Sequence, residues 1–530
     1  MEEEVKKPLF KKVLPWIVVG ALLIVTIIVL IVLNIKRSDE IAGTTTGEIV
    51  ESLDIDNGDQ KIDWSLYPTY DVKLSESYTI STSGTYNLTG QISDGLISVN
   101  ANDKVVRLVL NGVTITNHSG PAIYVENAKD VVVELAEGST NTLADGAAYS
   151  DVEEDVDGAI FSKDDLTFQG TGKLIIKANY LDGIVSKDDL KIINGEYQIS
   201  SVDDGIRGKD SVYILNGNFK VLSGGDAIKS TNDTETTKGF IRIENGNFEI
   251  DSNQKGIKAI NDIAIDAGEF TITSTDDAIH SNDYIGIKGG KYTISSDDDG
   301  IHADAELVID DGEIDIVKSY EALEAARITI NSGKVSLVAR DDGINVAGGN
   351  DGSAQNRAGA NPFSVDESNI LSINGGDLYV NSTGDGLDSN GYIYINGGNI
   401  VVDGPISSAD GALDAGGGIM VNGGTLIAVG ASGMAEAASE KSAINSISAY
   451  ITSGASGSTI SLLDASGNTV ISHTAAKSFQ HIVIASGDLK IGNSYTLKVG
   501  NSYSESITLQ NTVTTVGNRG GNDFQNRGRR

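Results

Sequence analysis

Residues 276–302 read DDAIHSNDYIGIKGGKYTISSDDDGIH. The acid Asp277 and the apolar Ile279 two places on return 22 residues later as Asp299 and Ile301. Working outward, the apolar position recurs as Ile184, Ile206, Ile228, Ile257, Ile279, Ile301, Leu323, Ile344 and Leu387. The steps are 22, 22, 29, 22, 22, 22, 21 and 43 residues. The step of 29 is one repeat plus a polar insertion around 232–238, and the step of 43 adds a Gly/Asn-rich insertion around 348–366. So regular a period predicts a solenoid.

Each unit also repeats a corner. Asn194-Gly195, Asn216-Gly217, Asn245-Gly246, Asn374-Gly375, Asn396-Gly397 and Asn422-Gly423 follow short β-branched runs. Asn and Gly tolerate the left-handed backbone that sharp corners need. Runs such as 191–193 and 197–199 alternate with period two and are too short for helices. Three short strands per repeat would close one coil of an all-β parallel β-helix. Equivalent residues then stack about 4.8 Å apart, and each coil hides its apolar face on the next. A leucine-rich repeat would need a regular Leu pattern and a helical arc, which are absent.

The 530 residues contain no Cys, so neither disulfides nor thiolate metal sites are available. The formal net charge of −35 repels phosphate backbones and argues against nucleic acid as a partner. Residues 14–33, LPWIVVGALLIVTIIVLIVL, are long and apolar enough to span a bilayer. Lys6, Lys7, Lys11 and Lys12 precede them, which predicts a single-pass anchor with 1–13 inside the cell and the remainder extracellular. A cleaved signal peptide is the alternative, but the run is longer than usual and no small-residue cleavage site follows promptly. Residues 34–62 read as a linker. Residues 63–157 read as an N-terminal cap with irregular coils, 158–445 as the regular coils, and 446–515 as further coils or a β cap. Residues 516–530 read as a disordered tail.

The residue two places before the apolar ladder is Asp182, Asp204, Asp226, Asp277, Asp299, Glu321, Asp342 and Asp385, with Lys255 in one coil. In register these would form a column. Like charges 4.8 Å apart repel by about 3–4 kcal/mol at an effective dielectric of 20, and by about 1 kcal/mol in open water. A solvated ladder of Asp-Gly turns is one way to relieve this, and bound cations are another. Three residues after the anchor acid, the early coils carry Arg207, Lys229, Lys258, His280 and His302. Later coils carry Glu324, Asn345, Asp388 and Asp414. Turn geometry does not require that change from cations to oxygen donors. It marks 321–414 as a candidate calcium region, since Ca²⁺ takes six to eight oxygens, often from carboxylates. His280 and His302 should stack as an exposed pair with no evident third metal ligand. The acidic loop of Asp151, Glu153, Glu154, Asp155 and Asp157 is a second candidate calcium loop, with a solvated acidic loop as the alternative.

The segments DDGI, YEALEA, GDGLDSNGYIYINGG and GALDAGGGIMVNGG together resemble a bacterial carbohydrate-binding β-helix family known from clostridia. The resemblance covers roughly residues 63–513. It implies a right-handed parallel β-helix, similar in fold to calcium-dependent pectate lyases, that binds calcium and acidic plant polysaccharides or cellulose. It places calcium near Glu321, Glu324, Asp341, Asp342, Asp385 and Asp388.

Three functions follow as expectations. The first is calcium-dependent, non-catalytic polysaccharide binding at the cell surface, in which calcium bridges two sets of carboxylates. Tyr320 and Tyr180 are candidate sugar platforms, and Arg340 a candidate ligand-binding cation. The second is a pectate-type lyase, which needs a base beside the cation; Lys258, Lys318 and Arg340 are the nearest, and none is embedded among the acids. The third is a structural adhesin or spacer. The oligomeric state is not legible.

Overall fold

In the computed structural model, residues 62–150, 153, 155–347 and 365–519 are described. The apolar span 14–33, its flanks and linker to residue 61, most of the 348–366 insertion and the end of the tail lie outside them. Among the described residues no helix is long and apolar enough to cross a membrane.

The chain is all-β, dominated by one sheet whose strands pair mostly in parallel. Each coil contributes three strands, and each strand pairs with its equivalent one coil before and one coil after. On the anchor face, Asp182–Ser186 pairs with Ile206–Gly208, which pairs with Ile228–Ser230. On the second face, Asp189–Ile192 pairs with Ser211–Ile214 and then Phe240–Ile243. On the third, Glu196–Ser201 pairs with Asn218–Ser223 and then Asn247–Ser252. This is the hydrogen-bonding pattern of a solenoid. Stacking already begins at Thr69–Leu74, which pairs in parallel with Gly84–Ile92. The earliest coils join the same sheet although their unequal lengths hide the repeat in the sequence.

The apolar ladder is the core. Ile206 faces Ile228, Ile228 faces Ile257, and the register continues through Ile279, Ile301, Leu323, Ile344 and Leu387 to Leu413. All are buried. A second ladder is aromatic. Tyr197, Phe219, Phe248, Phe270 and Tyr292 stack face to face with ring centroids 4.6–5.0 Å apart and interplanar angles of 6° or less. In-register stacking imposes this offset-parallel geometry on rings that occupy one position in every coil. At the outer corner, side-chain amides run Asn422 to Asn396 (2.9 Å), Asn396 to Asn374 (2.9 Å) and Asn374 to Asn331 (2.8 Å).

The two kinds of glycine differ in cause. Gly246, in an Asn-Gly corner, has φ +141°, and a Cβ there would lie 2.9 Å from the Phe248 ring. Gly205, in Asp-Gly-Ile, has no positive φ. A Cβ on it would meet Val221 at 2.5 Å and the Ala227 carbonyl at 2.6 Å. The Asp-Gly pair is therefore a close approach between coils rather than a turn. Other coils carry Ala at that place, as at Ala227, Ala278 and Ala322, each fully buried.

Residues 446–516 change topology. Phe479–Ser486 pairs antiparallel with the last coil strand, Thr425–Gly430, and covers the open sheet edge. It also pairs antiparallel with Ser446–Gly454. A separate four-stranded antiparallel sheet completes the module, which has its own apolar cluster around Ile460, Leu497 and Ile507. His481 sits inside it, 2% exposed, with Nε2 2.8 Å from the Ser448 hydroxyl.

Two outcomes follow. Phe248→Ala removes the central ring of the stack and should cost about 3–5 kcal/mol, read as a lower urea midpoint; a change under 1 kcal/mol would contradict the packing role. Burial, with help from Arg519, lowers His481 to about 4. Because the folded value lies below the unfolded one, its contribution is complete above the unfolded value and lost as pH falls towards 4. Stability should drop by about 3 kcal/mol across that window, and His481→Gln should flatten the slope.

Candidate functional site

The anchor acids are not solvated turns. Asp182, Asp204, Asp226, Asp277, Asp299 and Glu321 are all buried. Each bridges to the next coil. The Asp204 amide donates to Asp182 (3.0 Å), the Asp226 amide to Asp204 (2.9 Å), and the Lys255 amide to Asp226 (2.9 Å). The pattern resumes from Asp299 to Asp277 (3.1 Å), Glu321 to Asp299 (2.9 Å) and Asp385 to Asp342 (2.6 Å). One carboxylate oxygen thus satisfies an amide that the tight stacking would otherwise strand. The other oxygen carries a charge that needs a partner.

The residues three places on supply that partner in the early coils. Arg207 lies 2.6 Å from Asp157 and 2.7 Å from Asp182. Lys229 lies 3.1 Å from Asp204 and 2.8 Å from Asp226. Lys255, the one base in the anchor column, reaches forward to Asp276 (2.7 Å) and Asp277 (2.6 Å). The acidic-loop residue Asp157 is thereby committed to Arg207.

The plus-three column runs unbroken in register: Lys258 faces His280, His280 faces His302, His302 faces Glu324, then Asn345, Asp388 and Asp414 follow. His280 and His302 are 3% and 0% exposed, so the exposed His ladder is corrected. A side chain pointing at a column of buried acids is drawn in by charge, which period-two reasoning alone does not register.

Past His302 the protein cations stop. Among the described residues no Lys or Arg pairs with Glu321, Asp342, Asp385, Asp388 or Asp414. Burial, then Glu324, pushes Glu321 up to about 8. Burial, then Asp385, pushes Asp342 up to about 8. Burial brings Asp385 to about 7. Asp388, facing Asp342, Asp385, Asp414 and Glu321 from a desolvated position, is held well above the carboxylate range. Burial also raises Asp414.

The donor set fits calcium. It is wholly oxygen-bearing, and its charges converge from adjacent coils. Asn345 donates its amide to Glu321 (2.8 Å), while its carbonyl oxygen is buried with no hydrogen-bond partner. An acceptor left orphaned among carboxylates costs about 1–3 kcal/mol unless a cation meets it. Glu436, outside the repeat and invisible to it, joins this end of the column: its carboxylate accepts the Ala415 amide (3.2 Å), and burial and Asp414 bring it to about 7.

Asp341, Tyr320 and Arg340 lie at the coil edge instead. Asp341 is half-buried and pushes the Tyr320 phenol up to about 12. The Arg340 guanidinium sits 5.7 Å from the centre of the Tyr320 ring and donates to the Ser319 carbonyl (3.4 Å). Tyr320 is 39% exposed, so this trio forms a solvent-facing lip beside the buried acids. Tyr180 is elsewhere, stacked on Tyr149 at 4.4 Å.

Asp388→Asn should move stability in opposite directions under two conditions. With a calcium chelator the neutral amide removes a repelled or expensively protonated carboxylate, raising stability by about 1–3 kcal/mol. If Asp388 ligates calcium, the variant should be less stable than wild type at saturating calcium. Calorimetry in both buffers checks this, and the same sign in both would count against a cation site.

The profile of a family described as "Carbohydrate-binding domain-containing protein" matches residues 75–343. A relative from Acetivibrio thermocellus with the same description is 33% identical over 172 residues, which is 31% of this chain and 58% of the relative. The chain thus spans less than two thirds of that relative's length. A solved structure described as the polysaccharide lyase-like protein from C. thermocellum, a gadolinium derivative, aligns at 28% identity with a TM-score of 0.38. The alignment covers 46% of this chain and 96% of that one. The family profile spans just over half of the sequence, and the chain therefore belongs to the carbohydrate-binding domain-containing protein family.

Proposed function

We propose that this chain is a calcium-dependent, non-catalytic polysaccharide-binding protein whose right-handed parallel β-helix is displayed outside the cell by a membrane anchor at 14–33. One observation carries the reading: the early acids of the column pair with Arg207, Lys229 and Lys255, whereas among the described residues no Lys or Arg pairs with Glu321, Asp342, Asp385, Asp388 or Asp414. Glu321, Glu324, Asp342, Asn345, Asp385, Asp388 and Asp414 would hold the ion or ions. Calcium, when bound, supplies the missing positive charge and leaves coordination positions for a sugar carboxylate. This lets a chain of net charge −35 hold an acidic glycan such as polygalacturonate. Tyr320 offers an apolar ring face beside the acids, and Arg340 a guanidinium that pairs with carboxylates. Membership of a carbohydrate-binding family supports the same partner class.

A lyase is the second reading, and one observation favours it. Lys477, from the C-terminal module, donates to the Ser382 carbonyl, three residues before Asp385. Burial lowers it to about 8, within reach of a general base.

Affinity electrophoresis in polygalacturonate gels should show retardation with calcium and none with chelator. Arg340→Ala should weaken retardation severalfold without changing the fold by circular dichroism. Equal mobility with and without calcium on every acidic and cellulosic glycan tried would reject binding and leave the adhesin or spacer. Growth of the ultraviolet absorbance of unsaturated uronates, abolished in Lys477→Ala, would replace the non-catalytic reading with the lyase.

A further inference from the structure

The junction between the two halves of the column holds an arrangement that the calcium reading does not use. His302 is fully buried and faces Glu324 of the following coil and His280 of the preceding one. Its Nδ1 lies 3.6 Å from Asp277 Oδ2, 3.6 Å from Asp299 Oδ2 and 3.6 Å from Glu324 Oε2. Its Nε2 lies 3.4 Å from Asp304 Oδ1. Asp277 is 0% exposed, Asp299 5% and Glu324 6%. The one imidazole nitrogen is therefore equidistant from three buried carboxylate oxygens.

Four carboxylates thus converge on one buried imidazole. The ligand atoms of Asp299, His302 and Glu324 all fall within 4.8 Å of each other. The opposite ring nitrogen faces a carboxylate, as it does in metal-bound histidines, where that contact fixes the tautomer and leaves the other nitrogen to ligate. The supporting contacts are also present. Asp277 Oδ2 is held by His280 Nδ1 (2.7 Å) and Lys255 (2.6 Å), and His280 Nε2 lies 3.0 Å from Asn282 Oδ1.

We infer that Asp299, His302 and Glu324 form a second metal centre that takes a divalent transition ion of the zinc or manganese class. An imidazole nitrogen among the donors selects against calcium, which prefers oxygen alone, and towards borderline ions. A divalent ion also offsets the converging carboxylates better than one proton on the ring. Glu324 has two oxygens and would link this centre to the calcium cluster. The geometry thus gives the column a graded filling along successive coils: side-chain cations, then a transition ion, then calcium.

The test uses the full chain loaded with Co²⁺ in excess calcium, so that the oxygen-only sites are already taken. One Co²⁺ per chain should remain after gel filtration, with the visible absorption of a low-coordinate cobalt site. Cu²⁺ loading should show electron-paramagnetic coupling to one imidazole nitrogen. His302→Gln should weaken Co²⁺ retention at least tenfold. Asp304→Asn, which keeps every ligand, should weaken it about tenfold and serves if His302→Gln does not fold. Asp388→Asn should leave Co²⁺ retention unchanged while reducing calcium binding, which separates failure here from failure of the calcium reading. No retained Co²⁺ in the folded wild-type chain, no nitrogen coupling, or unchanged retention in folded His302→Gln would overturn the proposal in favour of a proton on His302.

Discussion

Parallel strands stacked in register put the same position of every coil about 4.8 Å from its copies. Everything else in this structure is a response to that constraint. Apolar positions benefit: Ile meets Ile along the anchor face, and rings meet rings along the third. Amides benefit as well, because each Asn both donates and accepts along the corner. Charges do not, since stacking multiplies repulsion and removes the water that would screen it.

The acids persist because each has a second task. An oxygen of Asp182 or Asp204 receives the amide of the coil that follows, at a point where Gly or Ala lets the backbones crowd together. Replacing the acid by an apolar residue would leave that amide buried and unpaired. The remaining charge must then be matched locally. Arg207 and Lys229 each reach two acids, and Lys255 reaches forward from within the anchor column. Among the described residues no Lys or Arg does the same for Glu321, Asp342, Asp385, Asp388 or Asp414. The same architectural need is met by Lys and Arg in one stretch and not in the next, and the proposed calcium would meet it there.

Much of this was legible in the sequence. The spacing of Ile184 to Leu387 carries the coil length, because a buried position in a repeat tolerates little variation in size or place. The plus-three substitutions from Arg207 to Asp414 carry the change in charge, because one period suffices to align them. Other features were not legible. The aromatic ladder from Tyr197 to Tyr292 lies at an ordinary alternating strand position, and only stacking shows that the rings share one axis. Glu436 and Lys477 lie outside the repeat and meet the coils through long-range closure.

Alone, then, the sequence determined the period, the three-stranded coil and the identity of the aligned columns, because each follows from residue spacing along one chain. The tertiary structure decided which side of the backbone each column occupies and how wet it is. It turned Asp-Gly from a turn into a close approach, and buried both histidines. It also set three carboxylates at one distance from His302, because burial and mutual distance are properties of several coils packed together.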